Sequence, residues 1–95
     1  MSSIRKEKKT LRKLAIVDNM LRQIFGDDRV KVYKICYDDV YWRSESICAG
    51  YQIAVLTHDG VVHIMVYDTD ELYKRSVDDI LSDISDRIFG ETKAE

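Results

Sequence analysis

The segment that most constrains the fold is 51–67. Two runs of alternating apolar residues, 51–57 and 61–67, flank His58-Asp59-Gly60. Alternation puts every second side chain on one face of an extended strand. Asp-Gly between two such runs reverses a chain tightly, because both residues tolerate positive φ. The segment therefore predicts a hairpin, and with it an antiparallel sheet. A two-residue turn would pair His58 with Val61, Thr57 with Val62, Val55 with Ile64 and Ile53 with Val66. Ile53, Val55, Thr57, Val62, Ile64 and Val66 would then share one face, almost entirely β-branched, and face the core. Ala54, Leu56, His63, Met65 and Tyr67, with Gln52, would take the opposite face.

The flanking segments change period. Leu14, Val17, Leu21, Ile24 and Phe25 recur at three- and four-residue spacing, which predicts a helix from residue 3 or 10 to residue 25. Arg5, Lys8, Arg12 and Asn19 fall on its other side. Residues 29–37 are rich in valine, isoleucine and tyrosine and read as a strand. Residues 38–50 admit two readings. One is a short fourth strand at 40–43; the other is a loop over 38–46 with a strand starting near Ile47. A bulge is expected at Ala49-Gly50. Val77, Ile80, Leu81, Ile84 and Ile88 line one face of a last helix. That helix starts after a cap at Thr69–Asp70 or after Ser76, which has Asp79 three residues on. Gly26 and Gly90 each follow an apolar pair and read as left-handed helix ends. The expectation is an α+β domain spanning 1–95, ordered α-β-β-β-α. A three-stranded antiparallel meander, with room for a fourth strand, lies between two flanking helices. Residues 91–95 read as a loose tail.

Charge sharpens the functional reading. The net charge of −2 lacks the basic excess of a dedicated nucleic-acid binder. Its distribution is uneven: residues 1–14 carry six bases against Glu7, while residues 68–95 carry nine acids against four bases. Like charges four apart, as in Lys8–Arg12, sit at the positive end of the first helix dipole, so residues 1–9 are expected to fray unless something acidic holds them. No run is apolar enough to span a membrane. Two cysteines, Cys36 and Cys48, do not make a disulfide framework, and a reduced, cytoplasmic chain is expected.

Catalytic patterns are missing from the sequence. The four glycines never cluster into a phosphate cradle, and no nucleophile elbow or metal-ligand spacing occurs. His58, His63, Asp59, Cys36 and Cys48 offer no recognisable ligand set. No catalytic residue, metal site or cofactor is therefore expected. The expected role is a non-enzymatic protein–protein interaction module that inhibits or regulates a partner, and that forms a homodimer. Its dimer or partner face would be Ala54, Leu56, His63, Met65 and Tyr67. A second contact surface is an acidic stripe, Asp79, Asp83 and Asp86, about one helical turn apart and facing away from the core. It would meet a cationic surface on another protein, in the manner of a nucleic-acid mimic. The alternative is a small nucleic-acid-binding regulator that uses the basic stripe Arg5, Lys8 and Arg12. A small enzyme or metal protein is the remaining class.

Overall fold

The computed structural model describes residues 2–39 and 45–90, with side chains over 5–35 and 50–90. Helix α1 runs over Ser2–Phe25, followed by a 3-10 turn at Asp27–Arg29. Strands β1 (Val30–Asp39), β2 (Glu45–Leu56) and β3 (Val62–Asp68) form one antiparallel sheet in the order β1-β2-β3. Helices α2 (Thr69–Lys74) and α3 (Val77–Phe89) complete the chain. The α+β architecture is as the sequence predicts. The last helix is divided in two, because a cap forms at each of two starts: Ser76 as expected, and Asp68 in place of Thr69 or Asp70, which lie inside the first of the two helices. Asp68 caps α2 in a capping box with Glu71, and Ser76 accepts from the Asp79 N–H at the start of α3. The short fourth strand considered at 40–43 lies outside the described residues, as does the 91–95 tail.

Gly26 ends α1 at φ +121°, where a side chain would be strained. Gly90 stays right-handed at φ −66°, so the second expected left-handed end is not formed. Between β1 and β2 the register passes from Ile35↔Gly50 to Cys36↔Cys48, leaving Ala49 as the extra residue of a bulge. The two cysteines are therefore register partners.

The core lies between the helices and one face of the sheet. Leu14, Val17, Leu21 and Phe25 from α1 join Ile80, Ile84 and Ile88 from α3, and Leu72 from α2. They pack on Val30, Tyr51, Ile53, Val55, Met65 and Tyr67 of the sheet. Phe25 and Phe89 stack at 6.2 Å where α1 and α3 end. Ile24, expected in the α1 stripe, is instead exposed.

The hairpin is the main correction to the sequence reading. The loop has three residues, not two. The Gly60 N–H donates to the Thr57 carbonyl (3.0 Å), and the Thr57 N–H donates to the Val61 carbonyl (2.9 Å). Gly60 takes φ +85°, the left-handed bulge position that follows a three-residue hairpin turn. Leu56 then pairs with Val62, Val55 with His63 and Ile53 with Met65. One extra loop residue inverts β3, because side chains alternate faces along a strand. Met65 and Tyr67, expected on the open face, are 1% and 0% exposed in the core. Val62, Ile64 and Val66, expected in the core, are 57%, 58% and 53% exposed.

Candidate interaction surfaces

Among the described residues, no helix covers the second face of the sheet. Along β1 it carries Lys31, Tyr33 and Ile35, which alternate with the core-facing Val30 and Val32. Register places Gln52, Ala54 and Leu56 of β2 beside them, and Val62, Ile64 and Val66 of β3 beyond. An antiparallel sheet with one wet face usually turns polar side chains to water. Here only Lys31 and Gln52 are polar among these nine. Tyr33 is half exposed, like the three β3 residues. Of the sheet residues expected to form the contact face, Ala54 and Leu56 lie on it. Met65 and Tyr67 do not. His63 lies on the helix side opposite Val55, half-buried at the margin. It lines a shallow groove along the β3 edge with Asp86 and Arg87. The alternation of β3 is visible in the sequence, but assigning each alternate set to a face requires the loop length.

The acidic stripe is brought to one flank of α3, and its members differ. Asp83 is half-buried and accepts a hydrogen bond from the Tyr67 hydroxyl at 2.6 Å. The Arg87 Nε lies 3.2 Å from the same carboxylate, and an Arg75 guanidinium nitrogen lies 3.7 Å away. Asp79 is 3.5 Å from the Arg75 Nε. Asp86 is exposed and forms no ion pair among the described residues. The expectation that all three face away from the core is thus corrected for Asp83. Its position immediately before buried Ile84 carries its side chain to the core margin, where the Tyr67 ring ends in a hydroxyl. Burial and the Asp83 hydrogen bond push the Tyr67 phenol above its ordinary range, since both oppose its ionisation beside a carboxylate.

The basic stripe Arg5, Lys8 and Arg12 is exposed on the N-terminal half of α1. This half is helical from Ser2 and docks on α2. Lys6 pairs with Asp70, whose carboxyl is held below the usual aspartate range by that hydrogen bond and charge. Lys13 donates to the carbonyls of Leu72 (3.2 Å), Tyr73 (2.7 Å) and Arg75 (2.6 Å). One ammonium thus satisfies the orphan carbonyls at the end of α2 and complements its dipole. The basic and acidic ends of the sequence do meet, but through α2.

A third surface is an apolar groove of about 350 Å³ between α1 and α3, floored by Leu21, Ile84 and Ile88 and rimmed by Met20, Ile24 and Phe89. Among the described residues, no three His, Cys, Asp or Glu side chains converge on a point, and no helix is long and apolar enough to cross a membrane. The chain matches no protein-family model, no curated protein and no solved structure.

Proposed function

We propose that the chain is a non-enzymatic protein–protein interaction module, a small regulator or inhibitor in a reducing cytoplasm, whose open sheet face seats a second copy of itself. The observation that carries this reading is the apolar face of β3 and β1. Val62, Ile64, Val66 and Tyr33 together leave on the order of 400 Å² of side chain in water, a patch size that on monomers often marks a contact surface. Lys31 lies on edge strand β1, so two faces can stack about 10 Å apart with both ammoniums at the rim. Two such patches would remove roughly 800 Å² of apolar surface, below the ~1,200 Å² of a standard stable complex. The dimer is therefore weak, with a Kd on the order of tens of micromolar. The acidic flank supports the reading less, because Asp79 and Asp83 already engage Arg75 and Arg87.

Sedimentation equilibrium from about 1 to 300 µM spans that affinity range and tests the proposal. The wild type should approach dimer mass at the upper end. Ile64→Asp should keep the wild-type circular dichroism and stay monomeric. A wild type that is monomeric throughout, or an Ile64→Asp variant that associates as well as wild type, refutes it.

A further inference from the structure

Of the seven bases on α1 with described side chains, three have an internal role. Lys6 pairs with Asp70, Lys13 caps α2 and Arg22 pairs with Asp18 at 2.9 Å. Arg5, Lys8, Lys9 and Arg12 are the others. They are exposed and form no ion pair among the described residues. Together with Tyr73 of α2 they line one open groove of about 390 Å³.

This arrangement is unfavourable for the helix alone. Arg5–Lys9 and Lys8–Arg12 are like-charged pairs four residues apart, near the positive end of the α1 dipole. Among the described residues, no buried contact requires a cation at any of the four positions. Local rules broken without a structural return are expected where a sequence serves a ligand. Tyr73 stands within the same groove and is 37% exposed. The Lys6 and Lys9 ammoniums each lie 5.4 Å from its ring centroid. Such contacts are weak at exposed sites, so Lys9 can leave the ring for a stronger anion.

We propose that this groove binds single-stranded nucleic acid. Arg5, Lys8, Lys9 and Arg12 neutralise successive phosphates, and Tyr73 offers a face on which an unpaired base stacks. An acidic peptide would use the cations but has no use for the ring. The acids of α2 that could repel a phosphate are partly neutralised, Asp70 by Lys6 and Glu71 by Arg75 at 4.0 Å. The groove lies on the helical layer and is separate from the open sheet face, so the two surfaces stand or fall independently.

The experiment is fluorescence anisotropy of a labelled oligothymidylate of about 16 nucleotides, the upper end of a one-domain single-strand site. Four phosphate contacts predict a log–log salt slope of about −2.8, or roughly a 50-fold loss of affinity between 50 and 200 mM salt. Arg5→Gln/Lys8→Gln/Arg12→Gln should reduce the slope by about 2, one increment of ~0.7 for each lost contact. Tyr73→Leu should keep the slope and weaken binding by roughly 5- to 150-fold, the range for losing one base stack. All four substituted positions are on the surface, so circular dichroism should remain that of wild type. Three outcomes overturn the proposal: no binding at 50 mM salt, a triple variant that binds like wild type, or polyglutamate competing as well as the oligonucleotide with Tyr73→Leu indistinguishable from wild type.

Discussion

Tyr67→Phe isolates the contact that turns an apparent surface aspartate into part of the core margin. The phenol donates to Asp83 at 2.6 Å, a charge-assisted geometry, and the Tyr67 side chain is fully buried. Removing the hydroxyl leaves the ring packing in place, with the Arg87 guanidinium carbon still 5.7 Å from the ring centroid. A hydrogen bond to a charged group contributes about 1.5–3 kcal/mol. Asp83 retains Arg87 and Arg75, and its side chain is 24% exposed, so water can replace part of the loss. The expected cost is therefore near the lower end, about 1.5 kcal/mol, or roughly 6–12 °C in Tm for a chain of this size. Urea unfolding at pH 7 measures it, and a double cycle with Asp83→Asn assigns it to the pair. The same contact predicts a pH dependence. The folded phenol titrates above its unfolded value, so its contribution is fully present below about pH 10 and is lost as pH rises through the folded pKa. In absorbance titration at alkaline pH, the Tyr67 phenol should ionise only with unfolding, and Tyr67→Phe should remove that step. A Tyr67→Phe cost under about 0.5 kcal/mol, the level of an ordinary surface substitution, would refute the reasoning.

The hairpin register predicts opposite outcomes at neighbouring positions: Met65→Ala should cost about 2–5 kcal/mol in urea unfolding, while Ile64→Thr should stay within about 0.5 kcal/mol. Gly50→Ala should be among the most damaging small changes, because an added Cβ would lie 2.4 Å from the Tyr67 carbonyl oxygen and 2.9 Å from the Asp68 Cα. A loss below about 1 kcal/mol would show that the β2–β3 backbones are not so close. Lys13→Met should free the α2 carbonyls, cost about 1–3 kcal/mol and speed amide exchange in 69–75 ahead of the sheet.

Much of this architecture is legible without coordinates. The stripe Leu14, Val17, Leu21 and Phe25, the stripe Ile80, Ile84 and Ile88, the Ser76 cap and the Gly26 stop are local patterns. Each depends on residues within a turn or two, so helix, strand and cap chemistry specify them directly. The bulge at Ala49 belongs with them, as a glycine-adjacent irregularity in a strand. Tertiary structure decided the rest. His58-Asp59-Gly60 can close a hairpin as a two- or a three-residue loop, and the alternating runs on either side fit both registers. The observed register buries Met65 and Tyr67 and gives the phenol a partner in Asp83, leaving Val62, Ile64 and Val66 outside. That choice depends on α3, more than ten residues further along the chain, and no local pattern contains it. The candidate surfaces follow from the same long-range packing. A period of two tells which residues share a face, and only the packed helices determine which face remains open.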